Sequence, residues 1–241
     1  MSLFGATTLR LGRPNEVHTA GAGYFRELAI ALAVDPPSTW HPPPPEPVAS
    51  LVNLLDSIDE EEQRRGLELG EDELRRNPRM ADTSANGWGT IRDGSDFGAD
   101  VVRRASVAKY ALAAHRPVEN RSYVAQVDAE GARLDGAQAL ALRFEAGEPP
   151  CDGFWSLTVY GPDMFLVDNE MNRYAIGDRT AGLRRDETGA LTFTIGGPRP
   201  ADASNWLPAP DGRYLLVLRV YEGHPDVVDA TWFPPPLVPI T

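Results

Sequence analysis

The stretch FWSLTVYGPDMFLVDNEMNRYAIGD, Phe154 to Asp178, decides the fold. Its first part alternates. Trp155, Leu157 and Val159 fall on one side and Phe154, Ser156, Thr158 and Tyr160 on the other, the period of two that a β-strand imposes. Gly161-Pro162-Asp163 supplies a turn, and Met164 to Asp168 reads as the returning strand. Past that strand lies a dense run of amide, aromatic and guanidinium side chains, Asn169, Asn172, Arg173 and Tyr174. Two later segments carry the same chemistry, Asn205-Trp206-Leu207-Pro208 and Tyr214 to Tyr221, and are expected to converge on it.

Working outward, the same period recurs at Ser122 to Asp128, Ala139 to Phe144, Gly153 to Tyr160, Leu191 to Ile195 and Arg213 to Tyr221. Turn sequences such as Asp128-Ala129-Glu130-Gly131 and Asp211-Gly212 separate these runs. Short strands at this spacing predict an antiparallel, jelly-roll-like β-sandwich, with the proline-rich tail from Trp232 wrapping it. Upstream the period is helical. Tyr24, Phe25, Leu28, Ala29 and Leu32 mark a helix over 17–34 that Pro36 and Pro37 stop. Residues 36–47 form an extended, polyproline-like connector. A second helix covers 48–58, an acidic segment becomes helical from Glu71, Asn86-Gly87-Trp88-Gly89 makes a hairpin-like turn, and Ser95 caps a helix over 96–114. The class is therefore α+β: a helical extension over 1–115 with its connector at 36–47, then a sandwich over 116–241.

Composition narrows the chemistry. A chain of 241 residues that is 42% hydrophobic can bury a substantial core, and its net charge of −12 repels phosphate backbones and acidic lipid surfaces. Neither a nucleic acid nor a membrane is an expected partner. One cysteine, Cys151, permits no internal disulfide, and no apolar run has the length of a signal peptide or a membrane span, so a cytoplasmic location is expected. The histidines, His18, His41, His115 and His224, form no metal-ligand spacing. No nucleophile elbow, phosphate loop or complete dinucleotide fingerprint is present, so no cofactor is expected. Gly21-Ala22-Gly23 lacks the third glycine.

What remains is the polar cluster. An arginine among apolar neighbours, Arg219, calls for an acid, and Asp168 and Asp178 are the candidates. One reading makes the cluster a ligand site. There Arg219 or Arg173 anchors an anionic group, Asn169, Asn172, Tyr174, Asn205 and Trp206 orient the ligand, and Tyr160, Tyr221 or His224 exchanges a proton in metal-independent, non-redox lyase, isomerase or hydrolase chemistry. The other reading makes the same residues turn and register locks in a structural or oligomeric interaction module.

FWSLTVYG, NEMNRYAIGD, NWLPAPDG and LRVY, together with Asn86 to Gly89 and Asp128 to Gly136, resemble in order and spacing the signature of domain-of-unknown-function family 1214. Tyr24 to Leu28 resembles the connector that precedes that domain. The resemblance implies a β-sandwich related to viral jelly-roll folds, carrying helices and tending to form homo-oligomers, with no established activity and no agreed catalytic residues. In this family the domain usually follows an N-terminal domain of family 1254, which is not expected in this sequence. A site needing both halves would depend on a separate subunit.

Overall fold

The computed structural model describes residues 34, 54, 57–77, 81–98, 100–111, 114–145 and 147–240. The connector at 36–47 lies outside the described residues, as do the helices read at 17–34 and 48–58 apart from Val34 and Leu54, both helical, and Ser57 and Ile58. Contacts divide the chain into two compact units, Met1–Pro78 with Gly98–Val102, and Arg79–Phe97 with Arg103–Thr241.

In the first unit, helix α1 (Glu60–Arg76) begins where the acidic run stands. Asp59 is its N-cap. The Asp59 carboxylate accepts from the Glu62 amide, and the Glu62 carboxylate accepts in return from the Asp59 amide. Three glutamates in the first turn and Arg75 and Arg76 in the last complement the helix dipole, and no α1 residue is buried. The acidic run is thus a helix start, eleven residues ahead of the expected one at Glu71.

The second unit is built on two sheets. Strands β1 (Thr83–Ala85) and β2 (Trp88–Thr90) close a hairpin on Asn86-Gly87, both at positive φ, 57° and 83°. Helix α2 (Val101–Tyr110) is shorter than the predicted 96–114, and Ser95 does not cap it. Asp93 takes the local donors instead, accepting from the Ser95 amide and hydroxyl and from the Asp96 amide, which holds 93–96 in a turn.

There follow β3 (Asn120–Ala125), β4 (Leu140–Phe144), β5 (Cys151–Tyr160), β6 (Ala175–Gly177), β7 (Leu191–Ile195), β8 (Trp206–Leu207), β9 (Leu215–Gly223), the short helix α3 (Pro225–Val228) and β10 (Leu237–Pro239). The six-stranded sheet has the order β1-β2-β3-β9-β5-β6 and is antiparallel throughout. The four-stranded sheet, β10-β4-β7-β8, contains one parallel pair, β7 with β8. That pair departs from the all-antiparallel expectation. β8 follows β7 through a connection that carries the chain back before it pairs, so no tight hairpin joins them.

Alternation sets what faces what. On β5 and β9, Trp155, Leu157 and Val159 stand opposite Val220, Leu218 and Leu216, all nearly inaccessible. They share one core with Leu140, Leu142, Phe144, Leu191, Phe193 and Ile195 of the other sheet. Trp155 meets Phe144 and Phe193 at ring separations of 6.2 and 5.7 Å, an edge-and-tilt cluster that ties the sheets together. Each such side chain contributes about 1.5–3 kcal/mol by leaving water.

The expected strand Met164 to Asp168 is absent. Its sole pairing is a single bridge from Leu166 to Tyr160. The Gly161 amide donates to the Phe165 carbonyl at 2.8 Å, and Met164 adopts φ 68°, so the chain is spent on a tight loop. The tail does clasp the sheets. Trp88 Nε1 donates to the Pro235 carbonyl, Tyr123 Oη to the Trp232 carbonyl, and β10 pairs with β4. Buried Arg121 holds α3 against the end of β2, donating to the carbonyls of Ile91, Arg92, Val227 and Val228.

Candidate functional site

The residues singled out in the sequence fall into three groups. The first is a lock at the edge of the four-stranded sheet. Asn169 turns the chain on itself: its carboxamide donates to the Val167 and Arg173 carbonyls and accepts from the Met171 and Arg173 amides. Arg173 Nη1 then reaches the carbonyls of Ala203, Ser204 and Trp206 at 2.6, 3.3 and 2.9 Å. Asn205 bonds the backbone of Arg184 and Thr192, and buried Trp206 donates its indole N–H to the Gly196 carbonyl. Asn172, at φ 50°, and Asp168 each lie at long hydrogen-bond distance from Tyr174 Oη, 3.4 and 3.5 Å. The expected meeting of the 169–174 and 203–206 segments is present, and it is made almost wholly of internal hydrogen bonds.

The second group lies on the outer face of the six-stranded sheet. Because Leu216, Leu218 and Val220 face the core, Leu215, Val217, Arg219 and Tyr221 lie on the opposite face of the sheet, where Leu215 and Val217 are themselves buried and Arg219 and Tyr221 partly so. Arg219 stands between Ser122 and Ser156 on the neighbouring strands, partly buried, with its guanidinium carbon 5.5 Å from the centre of the Tyr160 ring. It makes no hydrogen bond or ion pair with any described residue. The expected carboxylates are engaged elsewhere: Asp178 accepts from the Trp155 amide and lies 3.9 Å from Arg179, and Asp168 faces Tyr174. The expected pairing of Arg219 with Asp168 or Asp178 is not made, because the side chain leaves the sheet on the face opposite the core, beside hydroxyls and a ring.

The third group sits toward the other end of the same face. Phe154 and Tyr221 stack at 4.1 Å, Arg179 covers Phe154 at 4.4 Å, and His115 meets the Tyr221 edge at 6.0 Å. His224 Nε2 lies 3.1 Å from Asp152 Oδ1, both side chains well exposed. Phe154 and Tyr160 are six residue steps apart along β5, about 20 Å. Tyr160 and Tyr221 therefore do not reach one small ligand together.

Cys151 is partly buried, and its thiol is pushed up by that burial and then by Asp178, Glu148 and Asp152, the reverse of what a nucleophile needs. No group of three metal-ligating side chains occurs among the described residues. A cleft of about 420 Å³ opens between Gly161–Asp168 and Pro210–Arg213, and it contains none of the residues predicted to hold a ligand. Sequence reading missed the partners of the outer face, Arg179, His115, Ser122 and Ser156. The parity of β9 carried the signal, since Tyr214, Leu216, Leu218 and Val220 are uniformly apolar in bulk and the intervening positions are not.

Among solved structures, the crystal structure of the VPA0106 protein from Vibrio parahaemolyticus matches with a TM-score of 0.54 and 20% identity, covering 81% of this chain and 46% of that one. A crystal structure of an uncharacterized protein from Burkholderia cenocepacia matches at a TM-score of 0.43 and 17% identity, covering 82% and 45%. The first likeness concerns the fold alone. The chain spans less than half the length of either relative. No curated protein matches. No described helix is long and apolar enough to cross a membrane. Residues 119–225 match the model of the family described as "Protein of unknown function (DUF1214)", the family that the motifs of this stretch resemble.

Proposed function

We propose that this chain is a cytoplasmic, jelly-roll-like binding protein for a small organic molecule that carries a carboxylate, taken on the outer sheet face by Arg219 with Tyr160 beside it. One observation carries the reading. Arg219 is partly buried yet has no hydrogen-bond acceptor among the described residues, whereas Arg121 and Arg173 spend their donors on backbone carbonyls. A partly desolvated donor left unmatched costs about 1–3 kcal/mol, and a bound carboxylate would remove that cost through a charge-assisted, two-pronged bond. Tyr160, whose hydroxyl has no partner among the described residues, is then the group placed to give or take a proton. In this reading Tyr221 and His224 do not share that ligand.

A second reading is favoured by the lock. Asn169, Arg173, Asn205 and Trp206 are so fully bonded within the chain that their work is to fix turns, as in an interaction module whose copies associate. The two readings separate in a thermal-shift panel of acetate, benzoate, succinate and citrate. The binding reading expects at least one acid to raise Tm in the parent and none in Arg219→Met. A panel in which no acid moves the parent leaves the interaction module.

A further inference from the structure

We infer that the groove between the tail and the β4 end of the four-stranded sheet is a docking site for a proline-rich extended segment of a partner protein, with an arginine or lysine next to the prolines. The groove encloses about 290 Å³ and is lined by Phe144, Trp232, Phe233, Pro235, Asn86, Glu145 and Glu148. Its distinguishing feature is Trp232. Of the four tryptophans described, Trp88, Trp155 and Trp206 donate their indole N–H groups to the Pro235 carbonyl, Glu148 Oε2 and the Gly196 carbonyl, at 2.8, 3.2 and 2.9 Å. Trp232 is partly buried, and its indole N–H has no acceptor among the described residues.

The groove is held in shape before anything binds. Tyr123, inaccessible beneath it, packs edge-on against both Trp232 and Phe233 at 5.4 and 5.5 Å and donates its hydroxyl to the Trp232 carbonyl at 3.0 Å. The Asn86 carboxamide and the Trp88 indole fix the Pro234 and Pro235 carbonyls. Little ordering cost is then left for binding to meet.

The occupant follows from the chemistry. A polyproline helix has no internal hydrogen bonds, so its carbonyls point outward and accept from donors such as an indole N–H, and its rings pack on aromatic faces. The rim adds charge. Both ionisable residues of the lining are acids; Glu148 is committed to Arg185 and the Trp155 indole, which leaves Glu145 as the acid open to a ligand. Glu145, its side chain 75% exposed, gives Oε1 to Arg143 and keeps Oε2 open. On a chain of net charge −12 this selects a basic flank and repels an acidic one.

The test is a titration of the isotope-labelled full-length chain, followed by amide and indole resonances, with three peptides: an oligoproline bearing one N-terminal arginine, the same oligoproline without it, and a Gly/Ser peptide with the arginine. The first should bind saturably and move the Trp232 indole signal, the second should bind more weakly, and the third should not bind. Trp232→Phe keeps the ring and removes the donor, and should weaken the first peptide about tenfold. Glu145→Gln should remove the advantage of the arginine and leave plain oligoproline unchanged. The proposal is overturned by an indole signal unmoved at about 1 mM peptide, by equal binding of the Gly/Ser peptide, or by affinity indifferent to both substitutions. Because the indole readout uses the unaltered chain, poor folding of a variant does not protect the proposal.

Discussion

Replacing Arg173 with methionine tests whether the amide-rich cluster is architecture or ligand site. Arg173 Nη1 makes contacts of 2.6, 3.3 and 2.9 Å to the carbonyls of Ala203, Ser204 and Trp206. One Nη1 atom carries two hydrogens, so three contacts amount to about two bonds, one of them shared. Charge-assisted bonds contribute about 1.5–3 kcal/mol each, an upper bound of about 3–6 kcal/mol. The site is only part-buried, so water can satisfy some of the orphaned carbonyls, and a loss of about 2–3 kcal/mol is the expected outcome. For a domain of this size that lowers Tm by about 4–12 °C. Arg219→Met is the matched control. It removes a similar charge but only a cation–π contact with Tyr160, worth about 0.5–1 kcal/mol at a partly exposed site and offset by relief of the unmatched donor, so little net loss is expected. Guanidinium unfolding followed by tryptophan emission reports on the buried Trp88, Trp155 and Trp206. If Arg173→Met costs no more than Arg219→Met, the carbonyl lock is not a structural element and the division of the cluster drawn above is wrong.

Other outcomes follow from the same coordinates. Tyr214 Oη is buried without a partner among the described residues, so Tyr214→Phe should hold or raise stability by up to about 1 kcal/mol, whereas Tyr123→Phe, which loses the bond to the Trp232 carbonyl, should cost about 1 kcal/mol in the same denaturation assay. Burial pushes the pKa of both phenols above the ordinary tyrosine range. A raised folded value means that their contribution is fully present below about pH 10 and is lost as pH climbs beyond it; alkaline unfolding should set in there and move to higher pH in Tyr214→Phe. A Cβ at Gly136 would sit 2.0 Å from the Pro210 carbonyl oxygen, so Gly136→Ala should cost more than about 2 kcal/mol or prevent folding. Gly66, in the exposed helix α1 with open space where an alanine Cβ would stand, should gain about 0.5–1 kcal/mol as alanine, read as an increase in helicity and Tm.

Strands of five residues or more are legible in the sequence, with β3 and β9 displaced by two or three residues. Leu191–Ile195 was placed with its observed bounds, and Ala139–Phe144 and Gly153–Tyr160 within two residues, because inward and outward side chains alternate over enough positions to show a period. β6, β8 and β10 are two or three residues long and carry no period at all; their pairing partners lie far away in sequence. Met164–Asp168 looked like a strand because it is apolar, but Met164, Phe165 and Leu166 are 40%, 39% and 50% exposed, and a loop held by Gly161 and Asp163 presents them. Asp93 displaced Ser95 for a similar reason, since a local turn competes with a helix cap and composition does not say which wins. In the candidate site, the types of residue were legible and their allegiance was not. Arg173 and Arg219 read alike in sequence. Only the neighbouring strands decide that one meets three carbonyls and the other faces a ring and two serines.

The most direct measurement is a calorimetric titration of small mono- and dicarboxylates into the parent chain and into Arg219→Met, with the melting temperatures of both recorded. Saturable uptake of an acid by the parent, abolished in a variant that melts within a few degrees of it, is the expected result. Heats that are flat for every acid, or undiminished without the guanidinium, would contradict the assignment of Arg219 as the anion contact.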